Sequence, residues 1–315
     1  MSAAPIRVAP IRVAVVGMGK IAHDQHLPAI AGNPAFALAA TVSRSDSTID
    51  GVPHFRSLPD LLEHGPGVDA VALCTPPQVR YDLATLALDK GLHVFLEKPP
   101  GATVAEVDAL ATQAHARGVT LFASWHSRYA AGVAPAKAWL AGRRITRVNV
   151  IWREDVRVWH PGQDWIWQPG GLGVFDPGIN ALSIITHILP DPFFLTDAVL
   201  DVPENRAAPI AADLHFRDAR GTPIHMDLDW RQTGPQSWDI VVETDAGTLR
   251  LAHGGAVLSL PGETLPNADE EYPGLYARFA ELIAQGESDA DARPLTLVAD
   301  AFLRGTRRTT DAFFD

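Results

Sequence analysis

Residues 11–16 are apolar except for Arg12 and mostly β-branched, and Gly17-Met-Gly-Lys-Ile-Ala22 follows them without a break. Such a run reads as a short buried strand of a parallel sheet. A G-x-G-x-x-A turn directly behind it, opening onto a helix-compatible stretch, constrains the fold more than any other feature of the chain. The glycines allow a tight turn and a close approach by a ligand, and the N–H groups of the helix end point outward as an anion site. The stretch predicts a dinucleotide held at Gly17, Met18, Gly19, Lys20 and Ile21.

The pattern continues to about residue 125. Strand-like runs over residues 36–42, 69–74, 93–97 and 120–124 alternate with helix-like runs over 21–31, 58–63, 79–90 and 103–117. Pro28 interrupts the first helix and calls for a kink or a late start. Thr103 and Glu106 form a capping box at the last of these helices. This order predicts a doubly wound parallel sheet with ligands at the carboxyl ends of its strands. Beyond it the texture changes. Strands are predicted over 145–152, 211–216, 224–230, 238–243 and 248–251, with helices over 176–189, 273–285 and 296–314. The expected fold is α/β. A Rossmann domain spans residues 1–125, and an α+β domain with a large, mostly antiparallel open sheet spans 126–315, its last helix packing on the first domain.

Composition narrows the function classes. The chain has 315 residues, 47% of them hydrophobic, and a formal net charge of −11. That balance argues against nucleic acid or an anionic membrane as partner. Cys74 is the single cysteine, so no internal disulfide forms and a reducing, cytoplasmic setting fits. There is no apolar span long enough to cross a membrane and no signal-peptide pattern at the start. No HExxH, cysteine cluster or tight His/Asp spacing points to a metal.

Three stretches carry candidate chemistry. The second strand runs into Ser43-Arg44-Ser45, with no acid before Asp46. Two hydroxyls and a guanidinium suit a ribose 2′-phosphate, so NADP is preferred with NAD also accepted; a solvated loop is the plain alternative. Glu97-Lys98-Pro99-Pro100 ends a buried strand. A lysine there can hold a substrate hydroxyl or, when desolvated, accept its proton, unless it is a surface lysine. In the third, a flexible glycine loop delivers Asp176 just ahead of Pro177, where it could simply cap a helix. Asn180, one turn on, shares its face and would offer an amide beside the carboxylate. Between these lies a loop with four of the eight tryptophans, interleaved with Glu154, Trp159 and His160. Indole faces stack on sugar C–H groups and the polar residues bind hydroxyls, although aromatic clusters also build cores. Trp238 could add a wall from the sheet, and His126 follows the last strand of the first domain.

Together, Gly17-Met-Gly-Lys-Ile-Ala22, Thr75-Pro76-Pro77, Glu97-Lys98-Pro99 and the antiparallel second half resemble the Gfo/Idh/MocA oxidoreductase family over nearly the whole chain. The Trp165–Leu182 stretch resembles its branch of aldose 1-dehydrogenases for galactose- and arabinose-type sugars. The resemblance implies a nicotinamide cofactor touching Thr75, Pro76, Glu97 and Lys98, a cis Lys98–Pro99 bond, and Lys98 with Asp176 as the catalytic pair. Asn180 stands where many members carry a histidine, which shifts weight to that pair. His126, Glu154, Trp159 and His160 match sugar-contacting positions, and the open sheet implies a homodimer. The implied activity is oxidation of a pyranose at C1 to its lactone. The alternatives are oxidation of a ring carbon, as in inositol dehydrogenases, or a non-catalytic dinucleotide- or sugar-sensing regulator.

Overall fold

The structure, a computed structural model, describes residues 9–265 and 271–314. The chain divides into two compact units, Met1–Ser124 with Tyr272–Asp291, and Trp125–Glu271 with Ala292–Asp315.

The first unit is built on six parallel strands: β1 (Ile11–Val16), β2 (Phe36–Val42), β3 (His54–Phe55), β4 (Ala70–Leu73), β5 (His93–Leu96) and β6 (Leu121–Ala123). Their order is β3-β2-β1-β4-β5-β6, so the chain reverses its direction of winding between β1 and β4. In such a sheet that switch point opens a crevice at the carboxyl ends of the strands. β1 and β4 are almost wholly buried, as their β-branched and small apolar residues require. The first helical stretch starts on time and absorbs Pro28 in its own way. Ala22–His26 widens into a π turn, with Leu27 N donating to Ala22 O, and Leu27–Gly32 continues as α-helix. A proline has no N–H to give, and a π turn is one way for a helix to pass it. The capping box of Thr103 and Glu106 is present on Val104–Arg117.

Part of the chain's last stretch also belongs to this unit. The penultimate helix, Glu271–Gln285, buries Tyr272, Leu275, Tyr276, Phe279 and Leu282. Tyr276 and Phe279 meet Phe36 and Phe95, and Phe279 also stacks on Phe122. A stripe of this kind has more apolar area to hide than polar groups to show, and the aromatic strand residues supply the matching face.

The second unit carries nine strands: β7 (Ile145–Arg153), β8 (Phe193–Pro203), β9 (Ala211–Asp218), β10 (Pro223–Asp229), β11 (Ser237–Thr244), β12 (Gly247–Ala252), β13 (Val257–Leu260), β14 (Glu263–Leu265) and β15 (Thr306–Thr310). Their order is β14-β13-β12-β11-β7-β10-β9-β8-β15. All pairs are antiparallel except β7–β10 and β8–β15. Alternation is clean on β9, where Leu214 and Phe216 are buried and Asp213, His215 and Arg217 face out. The helix expected over 296–314 is instead Arg293–Arg304, followed by β15. Gly305 stops the helix, and the β-branched Thr-Arg-Arg-Thr-Thr run fits an edge strand better than a helix. Among the described residues no helix is long and apolar enough to cross a membrane.

Candidate active site

The dinucleotide turn is held by its neighbours on both sides. Gly17 N donates to Val42 O and Cys74 N to Val16 O, each at 2.8 Å. Gly17 has φ +96°, and an added Cβ would lie 2.9 Å from the Cys74 carbonyl carbon and 3.0 Å from Thr75 Cγ2. Any side chain is excluded there twice, by backbone conformation and by space. Gly19 differs: nothing lies within 4 Å of the place its Cβ would take. Its carbonyl accepts from Ala22 N and His23 N, which starts the helical run. The N–H groups of a first turn lack intrahelical partners. Thr75 Oγ1 is buried beside this turn without a hydrogen-bond partner. An outward-facing helix end, open space at Gly19 and an orphaned hydroxyl are what a bound dinucleotide would use. Met18 is buried, Ile21 is exposed, and Lys20 pairs with Asp24.

At the end of β2, Ser43 Oγ and Ser45 Oγ are 2.8 Å apart, and Ser45 N donates to Ser43 Oγ. Arg56, which the sequence did not single out, donates to Arg44 O and pairs with Asp46. The loop's first carboxylate thus already carries a guanidinium.

Two buried groups organise the carboxyl ends of β4 and β5. Arg80 donates to the carbonyls of Thr75, Glu97 and Pro99, tying the Thr75-Pro76 segment to the Glu97-Lys98-Pro99 segment. Lys98–Pro99 is cis. Glu97, 4% exposed, points inward. Its Oε1 accepts from His26 Nε2 at 2.9 Å and from Tyr272 OH at 2.8 Å, and its Oε2 from Lys98 N at 2.8 Å. His26 Nδ1 lies 2.8 Å from Tyr276 OH. Burial works against charge on His26, but the Cys74 sulfur, the Tyr276 hydroxyl and the Glu97 carboxylate outweigh it, and its pKa stands well above the ordinary imidazole value. Burial pushes Tyr276 up to about 12. Lys98 itself is half-buried. His26, Arg80, Tyr272 and Tyr276 were missed from sequence. Their only signal is polarity at positions of otherwise apolar elements.

In the second unit, helix Phe175–Ile188 has Val174 as its N-cap residue, so Asp176 sits inside the first turn rather than capping it. The glycine loop before it is not a flexible arm. Gly173 has φ +54°, and a Cβ there would come within 2.3 Å of Pro209 O. Val174 N donates to Pro209 O and Gly173 N to Ile166 O. The glycine is required because backbone passes against backbone, and the result is a rigid seat for Asp176.

Around that seat the structure gathers several predicted residues. Glu154 is 3% and Asp176 4% exposed. His160 lies between them, Nδ1 3.7 Å from Asp176 Oδ2 and Nε2 3.6 Å from Glu154 Oε1. Both separations exceed a hydrogen bond, and His160 Nδ1 is buried without a partner. Glu154 is held by two indoles, Trp230 Nε1 at 3.1 Å and Trp238 Nε1 at 2.8 Å. Trp159, 44% exposed, leans on Trp238, which stacks on Trp152. Trp152, Trp167 and Trp230 are core residues, whereas Trp159 and the half-buried Trp238 present ring surface. Asn180 lies one turn beyond Asp176. His126 pairs with Glu271 at 2.7 Å. Burial opposes the Glu271 charge, but His126 prevails and holds the carboxyl below its ordinary range.

Residues 11–124 match the family model described as an oxidoreductase family with an NAD-binding Rossmann fold. Over its whole length the chain is similar to the galactose 1-dehydrogenase of Pseudomonas fluorescens, with 48% identity across 97% of this chain and 99% of that one. The crystal structure of a D-galactose-1-dehydrogenase protein from Rhizobium etli superposes with a TM-score of 0.94 at 60% identity, covering 98% and 99% of the two chains. A 3-ketoreductase from Actinomadura kijaniata, solved with NADP, shares the fold at 19% identity and a TM-score of 0.84, over 96% of this chain and 99% of that one. The glycine turn, the Glu-Lys-Pro strand end and the full-length likeness agree: this chain belongs to the Gfo/Idh/MocA family of oxidoreductases, with an NAD(P)-binding Rossmann fold in its first part.

Proposed function

We propose that the chain is an aldose 1-dehydrogenase that oxidises a D-galactose- or L-arabinose-type pyranose at its anomeric carbon to the lactone, using NADP in preference to NAD. One observation carries the substrate class: His160 stands between two buried carboxylates, with an orphaned ring nitrogen and exposed indole beside it. Carboxylate and imidazole groups bind hydroxyls, and indole faces cover the C–H side of a pyranose. The likeness to galactose 1-dehydrogenases supports the choice of sugar.

A nicotinamide bound at the glycine turn would supply the acceptor for the hydride leaving C1. The chain's own residues do the rest. Lys98 and Asp176 hold the anomeric hydroxyl, and one of them receives its proton as the C1–O bond becomes a carbonyl. Glu154, Trp159, His160, Asn180, His126 and Trp238 orient the ring. Ser43, Arg44 and Ser45 take the ribose 2′-phosphate. Gly17 to Ile21 carry the pyrophosphate, while Thr75 and Pro76 line the nicotinamide side. The open face of the nine-stranded sheet is where two copies pair.

Initial rates with galactose, arabinose, fucose, xylose and glucose, each with both cofactors, test the reading. Fastest turnover of galactose or arabinose with a lactone product supports it. A ketose product, or no reduction of either cofactor across the panel, overturns it.

A further inference from the structure

Among the described residues, the dehydrogenase reading leaves a cluster of metal-ligating side chains unused. Asp213 and His215 are two residues apart on β9, so they share its outward face. His225 on β10 stands directly opposite His215 in the antiparallel ladder, and on its other side it neighbours Asn149 of β7. His215 Nε2 lies 2.8 Å from Asp213 Oδ1, and His225 Nε2 lies 3.0 Å from Asp213 Oδ2. One ligand atom from each of the three residues falls within 4.8 Å of the others. The two imidazoles stack, centroids 4.8 Å apart and planes 26° from parallel. Asp227, opposite Asp213 on β10, is already engaged by Arg153.

The three ligand atoms are close enough together to share one cation. Asn149 Oδ1 lies 3.0 Å from His225 Nδ1, so the Nδ1–H of the ring donates to it. The Nε2 of His225 is then the ring atom turned toward the Asp213 carboxylate. A divalent cation fits among the two Nε2 atoms and the carboxylate. Two imidazoles and a carboxylate suit a first-row divalent ion, and Zn²⁺ accepts three protein ligands with water as the fourth. The Asn149 contact is the outer-shell bond that fixes the tautomer of a metal-binding histidine.

We propose that Asp213, His215 and His225 bind one Zn²⁺ per chain, with Asn149 orienting His225, as a clamp across β7, β10 and β9. Linear spacing hid the site, because His225 joins the other two only through strand pairing. The ligands come from one chain, so the stoichiometry does not depend on oligomeric state.

The test uses the full-length chain without a histidine tag, stripped with a chelator and dialysed. Zn²⁺ is titrated in competition with a chromophoric chelator, and Co²⁺ is followed by its visible d–d absorption. The expected result is one ion per chain, a raised Tm with Zn²⁺ and a tetrahedral Co²⁺ spectrum. All of these should be lost in the His215→Ala/His225→Ala double variant, whose response to metal is read against its own metal-free Tm. Asn149→Ala should weaken Zn²⁺ about tenfold or more. Wild-type affinity no greater than that of the double variant overturns the proposal, as does a Co²⁺ spectrum unchanged by the two substitutions.

Discussion

Replacing Glu97 by glutamine keeps its shape and removes its charge. The carboxylate receives three donors, His26 Nε2 at 2.9 Å, Tyr272 OH at 2.8 Å and Lys98 N at 2.8 Å. An amide has one acceptor edge and one donor edge, so either Lys98 N or the His26–Tyr272 pair must face an N–H. His26 has no exposed surface, so the mismatch cannot be relieved by water. Breaking a buried ion pair on one side costs about 3–5 kcal/mol. At about 2–4 °C per kcal/mol for a domain of this size, Tm falls by about 6–20 °C. Tyr272→Phe, which removes one neutral donor and leaves the pair with His26, should cost only about 1–2 kcal/mol. The pH dependence is fixed by sign. The pKa of His26 is raised in the folded state. Its charge therefore stabilises fully below the ordinary imidazole value, and that contribution is lost as pH rises through the higher folded value. The Tm gap between wild type and Glu97→Gln should narrow as the buffer becomes alkaline. Scanning calorimetry of both proteins across a pH series reads all of this. A Glu97→Gln Tm within about 2 °C of wild type at neutral pH, under 1 kcal/mol by the same conversion, would refute the reasoning.

Three further outcomes follow from the site. Lys98→Ala should lower kcat by about 10²–10⁴-fold, the range of a lost acid–base group, while cofactor binding followed by tryptophan fluorescence stays nearly intact; a normally active variant would sink the catalytic assignment. Arg44→Ala should raise KM for NADP about tenfold or more, since a charge-assisted bond contributes about 1.5–3 kcal/mol, and leave KM for NAD unchanged in parallel rate measurements. The pKa of Glu271 is lowered by His126, so its charge stabilises above the ordinary carboxyl range and that contribution is lost as pH falls through the depressed value; Glu271→Gln should lower Tm at neutral pH by an amount that vanishes in acid, measured by thermal melts.

The parallel sheet was legible because its signals are local. β1 and β2 begin and end where the apolar runs do, and Thr103 with Glu106 announces a helix start within four residues. The supporting groups of the site were not legible, because their partners are remote. His26 meets Glu97 across 71 residues and Tyr276 across 250, and no spacing rule connects them. Gly173 misled for a related reason. A glycine that makes room for Pro209 O and a glycine that frees a loop are the same letter. The C-terminal Thr306–Thr310 strand was hidden by its place after a strong helix, and only its parallel pairing with β8 makes it a strand.

The two units solve one physical problem in different ways. A dehydrogenase of this kind must keep charged groups out of water without letting them collapse on each other. In the first unit the carboxylate of Glu97 is balanced by a buried histidine, and the Lys98 N–H is fastened to it, so the backbone that carries Lys98 is fixed by the same charge. In the second unit Glu154 is held by two indole N–H groups, which are neutral donors. Each of its oxygens keeps further acceptor capacity, and His160 is held near both Glu154 and Asp176 without bonding to either. Trp238 therefore serves twice: its N–H fixes Glu154, and its ring backs the exposed Trp159. A closed network suits a residue that must not move, and the spare acceptor capacity of Glu154 would suit the hydroxyl groups of the proposed substrate.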